Sequence, residues 1–268
     1  MTGVVYLVGA GPGAPDLLTL RAARLLADAD IVFHDALVHE DTIALATKAI
    51  KVPVGKRNGQ RSSAQHFINK RLVDAAQEHG IVMRLKGGDP MLFGRAQEEI
   101  DALSAASIDF EVVPGVTAAL AASAELGVSL TRRARGGDAG CRSVVFVTPR
   151  VGDDDHVVDR TATERRWIAA VNAADTAVLY MASRDADRIA AALVADGRDA
   201  ATPVAIVENA SLSGSSRSLT TLGALAARGL TGLEGPATLI VGDAMRHARV
   251  DLIADVLALD LQERCRAA

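Results

Sequence analysis

The chain has few cysteines, few aromatic residues and no long apolar run. Of 268 residues only Cys141 and Cys265 are cysteine, which excludes a disulfide scaffold, and they lack the CxxC spacing of a structural zinc site. Aromatic residues make up 3% of the chain, too few for a base-stacking platform. Every apolar run is far shorter than the ~18 residues of a membrane span. A strand-like run opens at residue 4, which leaves no room for a signal peptide. We therefore expect a cytoplasmic protein that binds no membrane.

Charge is unevenly distributed along a chain of ordinary globular composition. Hydrophobic residues make up 49% and charged residues 23%, and the formal net charge is −4. Residues 48–95, however, hold ten basic and only three acidic side chains. A basic zone in an otherwise acidic protein favours a small polyanionic ligand over nucleic acid.

Apolar runs of strand length alternate with segments of helical periodicity, which predicts an α/β fold. Strands are expected at 4–9, 30–35, 50–55, 81–86 and 110–115, with helices between them, the first over 17–29 with Asp16 as its N-cap. This order indicates a mostly parallel sheet. A second series follows, in which a hairpin near 203–222 indicates a mixed sheet. The predicted organisation is an N-terminal α/β domain over 1–114, a C-terminal α/β domain over 115–246 and a helical extension over 247–268.

Three glycine-containing loops follow predicted strands, where open α/β sheets bind ligands. GAGPGA at 9–14 fits a dinucleotide fingerprint, although Pro12 and Pro15 remove backbone N–H groups that a phosphate would need. GGDP at 87–90 and PGVTAA at 114–119 are the other two loops, and Thr117 is a candidate cap of the helix that follows. From these residues alone, a dinucleotide, a different ligand and a purely structural turn all stay open.

Taken together, these segments resemble the tetrapyrrole methylase superfamily. The resemblance rests on VYLVGAGPGAPDLLTLRAARLL (5–26), ADIVFHDALV (29–38), VGKR (54–57), RLKGGDPMLFGR (84–95), FEVVPGVTAA (110–119) and PVAIVENAS (203–211). It implies a fold of two α/β domains, each a sheet flanked by helices, with S-adenosyl-L-methionine bound in the cleft between them, and a homodimer. The segments VGKR and RLKGGDPMLFGR are similar to the corresponding segments of particular members of the superfamily. These members transfer two methyl groups to carbons 2 and 7 of uroporphyrinogen III, which gives precorrin-2 for siroheme and cobalamin synthesis.

The resemblance also implies roles for individual residues. Positions that match cofactor contacts are Pro12, Gly87, Gly88, Asp89, Leu92, Thr117, Ala118, Met181, Ala210 and Ala237. Positions that match catalytic residues are Asp35, Lys56, Arg95 and Glu98, and those that match substrate contacts are Arg57, Arg95, Arg133 and Met181. Asp35 is chemically the simplest proton acceptor, since a free arginine is a poor base. From the residues alone, Asp35 could also be a turn carboxylate, Lys56 and Arg57 exposed basic surface, and Met181 a core residue.

The chemistry of the implied reaction agrees with this composition. A porphyrinogen with eight carboxylates suits the basic zone, because arginine and lysine bind carboxylates by charge-assisted hydrogen bonds. Methyl transfer needs no metal, and no cluster of metal ligands is evident. Departures from the family pattern at LTRR (130–133) and TPR (148–150) leave open another precorrin methyltransferase of the cobalamin pathway and a ligand sensor without activity. GAGPGA and Asp35 leave open a third alternative, a NAD(P)-dependent oxidoreductase.

Overall fold

The computed structural model describes residues 2–54, 65–134, 140–149 and 159–250. The chain divides into two compact units, Met1–Ala121 and Ala122–Ala268. No helix within the described ranges is long and apolar enough to cross a membrane. The helical extension expected over 247–268 lies almost entirely outside the described residues. The domain bounds drawn from the sequence stay predictions.

The first unit is built around a five-stranded parallel sheet, as the alternating pattern predicted. Its strands lie in the order β3-β2-β4-β1-β5 and all neighbours are parallel. The elements are β1 (Val4–Gly9), α1 (Leu20–Asp28), β2 (Ile31–His34), α2 (Glu40–Ala44), β3 (Ile50–Pro53), α3 (Gln65–Glu78), β4 (Ile81–Lys86), α4 (Ala96–Ala105), β5 (Phe110–Val113) and α5 (Ala118–Leu126), the last of which runs across the division between the units.

Apolar side chains cover both faces of this sheet, which is why its central strands are nearly continuous hydrophobic runs. On one face Leu7 and Phe33 pack with residues of α3 and α4. On the other face Val8 and Leu85 pack with residues of α1. A parallel sheet covered on both sides leaves its strand ends as the place where a ligand can reach the main chain.

The start of α1 differs from the sequence prediction. Residues Pro15–Leu17 form a short 3-10 turn, and the helix begins only at Leu20. Thr19 is the N-cap, and its side chain accepts a hydrogen bond from the backbone N–H of Ala22 at 3.1 Å. The assignment of Asp16 as N-cap was wrong because that residue lies inside the 3-10 turn.

The second unit contains a five-stranded mixed sheet in the order β6-β7-β10-β8-β9, which confirms the expected hairpin. Strands β6 and β7 are parallel, and the other neighbours are antiparallel. Helix α8 was not predicted, and Thr221 caps it. The elements are β6 (Val144–Val147), α6 (Arg160–Ala173), β7 (Thr176–Leu179), α7 (Ala186–Ala195), β8 (Pro203–Glu208), β9 (Ser216–Thr221), α8 (Leu222–Arg228) and β10 (Ala237–Gly242).

Candidate functional site

The three glycine loops of the first unit meet at the carboxyl edge of its sheet. Gly11 and Gly88 exchange backbone hydrogen bonds of 3.2 and 2.7 Å. A Cβ atom added to Gly9 would lie 2.6 Å from the Cα of Gly115 and 2.7 Å from the carbonyl oxygen of Gly88. Only glycine allows main chains to approach so closely. The three loops therefore form one backbone cluster, which we call the glycine cluster.

The glycine cluster argues against the dinucleotide interpretation of GAGPGA. The backbone N–H of Ala10 donates to Lys86, and that of Gly11 donates to Gly88. These donors already have acceptors within the protein and do not point to a pyrophosphate. The next α-helix also begins only at Leu20, so the loop does not lead directly into a helix N-terminus as that fingerprint requires.

The side chain of Asp89 connects the GGDP loop to the PGVTAA loop by hydrogen bonds. Its Oδ1 accepts a hydrogen bond from the N–H of Met91 at 2.8 Å, and its Oδ2 accepts one from the N–H of Gly115 at 2.9 Å. The carbonyl oxygen of Thr117 accepts from Leu120 at the start of α5. The sequence-predicted cofactor residues of this unit lie in the three loops, except for Leu92, which follows the GGDP loop by two residues: Pro12, Gly87, Gly88, Asp89, Leu92, Thr117 and Ala118. Their contacts with a ligand stay predictions.

Asp35 lies beside this edge and is paired with a buried arginine. It directly follows β2, which is the neighbour of β4 in the sheet. Arg84 Nη2 donates to Asp35 Oδ1 at 2.5 Å. The Arg84 side chain is 2% exposed and that of Asp35 is 31% exposed. Burial alone would lower the pKa of Arg84, but the carboxylates of Asp35 and Glu99 outweigh it and hold that pKa above its ordinary value.

Two further charged side chains, Glu99 and Lys86, lie deeper in the protein than this pair. The sequence analysis did not identify Glu99 as a site residue. Glu99 on α4 is fully buried, and its Oε1 accepts from Arg84 Nε at 2.9 Å. Lys86 Nζ donates to both Glu99 oxygens at 3.0 Å. Burial, and then the charge of Arg84, lowers the pKa of Lys86. The sequence pattern that indicates buried charge here is the alternation of Arg84 and Lys86 in an otherwise apolar strand, because residues two apart in a strand lie on the same face.

Arg95 and Glu98 form an exposed ion pair at the start of α4. Arg95 Nε and Nη2 donate to the two carboxylate oxygens of Glu98 at 2.6 and 2.9 Å. Arg95 has a φ of 55°, and so does Phe93. Residues other than glycine are uncommon at such angles and are concentrated at functional sites. The pair therefore lies on a strained turn that follows the GGDP loop.

The structure gives little information on three of the predicted substrate or catalytic residues. Lys56 and Arg57 lie outside the described residues. Arg133 is exposed in the second unit, next to Arg132, which pairs with Cys141 in an isolated bridge. The predicted roles of these three residues stay predictions.

The predicted cofactor residues of the second unit meet at one edge of its sheet. Because β10 is antiparallel to β7 and β8, its first residue, Ala237, lies where those strands end, opposite Glu208. Ala210 follows two residues after Glu208. Met181 follows β7 with a φ of 54°, and it is 50% exposed. The alternative that Met181 is a core residue was therefore wrong.

Hydrogen bonds hold the loop that carries Ala210 in an unusual conformation. Asn209 and Ser211, on either side of it, have φ values of 50° and 73°. The carboxylate of Glu125 accepts hydrogen bonds from the Ser211 N–H and from the Ser215 hydroxyl. Glu208 Oε1 accepts from the N–H groups of Glu234 and Gly235, each at 2.6 Å. Strain of this kind persists only where the surroundings fix it, and it points to a functional loop.

Both edges suit a flat nucleoside more than a metal ion. Glycines follow or end three strands of the first unit, and Ala210 and Ala237 lie at the edge in the second unit, so a ligand can lie against the main chain at both edges. Among the residues that the structure describes, no group of three or more His, Cys, Asp or Glu side chains could hold a metal. The fold is that of an α/β protein whose first unit places glycine loops and a carboxylate–guanidinium pair, Asp35 and Arg84, at the edge of a parallel sheet where α/β proteins bind ligands.

Comparison with known proteins identifies the family. The family model of tetrapyrrole (corrin/porphyrin) methylases matches residues 4–226, so the chain belongs to this family. The chain is 39% identical to a uroporphyrinogen-III C-methyltransferase of Pseudomonas aeruginosa, over 97% of this chain and 99% of that one. It is 44% identical to siroheme synthase 1 of Klebsiella pneumoniae, over 77% of this chain but only 41% of that protein.

A solved structure agrees with this assignment. Uroporphyrin-III C-methyltransferase of Thermus thermophilus, in complex with S-adenosylhomocysteine, matches with a TM-score of 0.76. It is 37% identical, and the match covers 91% of this chain and 99% of that one. The expected fold class, with two sheets flanked by helices, is confirmed.

Proposed function

We propose that this chain is an S-adenosyl-L-methionine-dependent C-methyltransferase that converts uroporphyrinogen III to precorrin-2 by methylation at carbons 2 and 7. The observation that carries the proposal is the match to the Pseudomonas enzyme, which spans nearly the whole length of both chains. The complex of the Thermus enzyme with S-adenosylhomocysteine supports the identity of the cofactor.

The two strand edges supply the parts that such a cofactor needs. In the first unit, Gly87, Gly88 and Thr117 bring main-chain groups and small side chains to the edge. In the second unit, Ala210 and Ala237 bring small side chains to the edge, and Met181 brings a half-exposed apolar side chain. The cofactor supplies an electrophilic methyl group, so the task of the protein is to position the ring carbon in line with it. That the cofactor lies in a cleft between the two domains stays a prediction.

Acid and base groups at the first edge suit the proton that C-methylation releases. Asp35 is the proposed acceptor, because its carboxylate is partly exposed and its partner Arg84 is buried. Lys56 is the proposed donor. The exposed pair Arg95 and Glu98 is proposed to contact the substrate, with Arg95 as an anchor for a substrate carboxylate. Arg57, Arg133 and Met181 complete the proposed substrate contacts.

A two-substrate assay tests the proposed function. Purified protein is incubated with S-adenosyl-L-methionine and enzymatically prepared uroporphyrinogen III, and the product is analysed by mass spectrometry. We expect a mass gain of two methyl groups. A panel of later precorrins, and NADH as an added ligand, serve as controls for the alternative functions. Methylation of a later precorrin alone, or thermal stabilisation by NADH alone, would contradict the proposal.

Several properties implied by the resemblance remain predictions beside this function. The chain is proposed to act as a homodimer in the cytoplasm, without a metal ion and without a nucleic-acid partner. Light scattering of the purified protein tests the oligomeric state. Activity after treatment with a chelator tests whether a metal is required.

A further inference from the structure

We propose that Arg84 and Glu99 are positioning residues that hold the carboxylate of Asp35 in place for proton transfer and link it to the helix that carries Arg95 and Glu98. The inference rests on the proposed function. It assigns a task to charges that are buried beneath Asp35. We call Asp35, Arg84, Lys86 and Glu99 the charge network.

Within the charge network, three side chains are buried and only Asp35 is partly exposed. Glu99 and Lys86 are 0% and 3% exposed, Arg84 is 2% exposed, and Asp35 is 31% exposed. Arg84 uses three separate nitrogens: Nε donates to Glu99, Nη2 to Asp35, and Nη1 to the carbonyl oxygen of Leu85 at 3.2 Å. The rigid guanidinium thus fixes the Asp35 carboxylate relative to both the helix and the sheet. Only the last member of the network reaches the surface.

Stability alone does not account for four charges in this place. Desolvation of buried ions costs several kcal/mol each, and replacement of a buried ion pair by apolar residues of similar volume is often neutral or stabilising. The same face of the sheet is otherwise lined by apolar residues such as Leu7 and Phe33. A network of buried charges at the end of the sheet that borders the glycine cluster therefore points to a task in function.

The network also connects the two groups of predicted catalytic residues. Glu99 directly follows Glu98 on α4, and Gln65 Nε2 donates to Glu99 Oε1 at 3.2 Å. Asn69, one turn further along α3, donates to the carbonyl oxygen of Glu98 at 2.9 Å. The first turn of α4 is thereby fixed against β4 and α3. The distance between Asp35 and the Arg95–Glu98 pair is set by buried groups rather than by the exposed loop.

A fixed carboxylate matters because of the order of bond changes. When the methyl group moves from sulfur to a ring carbon, the S–C bond breaks, the new C–C bond forms, and the pyrrole ring becomes positively charged. The ring becomes neutral again when a proton leaves an adjacent bridging methylene: the C–H electron pair forms a double bond between that bridging carbon and the neighbouring ring carbon, and the electron pair of the C=N bond returns to nitrogen. The Asp35 carboxylate takes this proton, and misplacement by about 1 Å can cost ~100-fold in rate.

The decisive experiment compares Arg84→Lys, Glu99→Gln and a matched control, Arg198→Lys. The Arg84→Lys variant keeps the positive charge, but its single ammonium group cannot reproduce the rigid fork that serves three acceptors at once. We expect kcat to fall about 100-fold in Arg84→Lys and less in Glu99→Gln. We expect the KM for S-adenosyl-L-methionine and the affinity for S-adenosylhomocysteine to stay unchanged. With a substrate deuterated at the bridging methylenes, the isotope effect on kcat should increase, because proton transfer becomes slower.

The control reports what loss of a structural arginine does. Arg198 donates to the carbonyl oxygens of Ala174 at 2.9 Å and Val171 at 3.3 Å, all within the second unit. Its variant should keep kcat and show no increase in the isotope effect.

Three outcomes would overturn the inference. They are an unchanged kcat in Arg84→Lys, a kcat that falls together with cofactor affinity, and a lower kcat without a larger isotope effect. If Arg84→Lys does not fold, folded Glu99→Gln with unchanged kcat overturns the inference alone. A wild-type chain that forms no methylated product contradicts the proposed function as well, so the two failures are distinguishable.

Discussion

Replacement of Gly9 by alanine is the most direct test of the glycine cluster. The added Cβ would meet three backbone atoms at once: Gly115 Cα at 2.6 Å, Gly115 N at 2.7 Å and the Gly88 carbonyl oxygen at 2.7 Å. All three contacts are shorter than Cβ atoms tolerate, and none belongs to a flexible side chain. Two loops must therefore shift to admit one methyl group.

The expected cost follows from this geometry. Extra groups in a closely packed region destabilise by about 1–3 kcal/mol, and immobile neighbours favour the upper end of that range. At about 2–4 °C for each kcal/mol, the thermal midpoint should fall by about 6–12 °C. Displacement of the Gly88 carbonyl also moves the GGDP loop. We therefore expect affinity for S-adenosylhomocysteine to fall by about tenfold, or ~1.4 kcal/mol.

Gly214→Ala is the matched control, because nothing lies within 4 Å of a Cβ added there. That variant should keep wild-type stability or gain about 0.4–1 kcal/mol from a less flexible unfolded chain. Unfolding is followed by circular dichroism, and binding by calorimetry. A Gly9→Ala protein as stable as wild type and with full affinity would refute the close approach of the three loops.

Two further variants test other contacts of the structure. Asp89→Ala leaves the N–H groups of Met91 and Gly115 without their acceptor. The free energy of unfolding should therefore fall by about 1–3 kcal/mol, and cofactor affinity should weaken. Binding equal to wild type would contradict a role of Asp89 in ordering the loops. Asp175 accepts hydrogen bonds from the N–H groups of Arg142 and Ser143, which hold its pKa below the ordinary value of 3.8. Its carboxylate therefore stabilises the fold above that value and loses this effect as the pH falls through the lowered pKa. Asp175→Asn should be less stable than wild type at pH 7, with a difference that narrows below pH 3.8 in denaturant titrations, and a difference independent of pH would contradict this reasoning.

Much of the fold follows from the sequence because its strands are short apolar runs with clear ends. The strands Val4–Gly9 and Ile81–Lys86 begin and end where the apolar pattern predicted. The start of α1 does not lie where the sequence predicted it, because a 3-10 turn that begins at Pro15 precedes the helix and has no distinct hydrophobic period. Helix α8 was missed because its seven residues are too few for a periodic signal.

The candidate site divides in the same way, between residues that local pattern identifies and residues that only the fold brings together. Glycine loops after strands can be recognised locally, since glycine is the residue that permits a close approach of main chains. Glu99 could not be recognised, because on its helix it is one of three acidic residues within six positions, and only its fully buried position beneath Arg84 and Lys86 separates it from the exposed Glu98. A charge in a helix is ordinarily solvated, and it becomes informative only when the fold removes the solvent. Buried charge next to a partly exposed carboxylate is therefore the feature for which a structure adds most to the sequence.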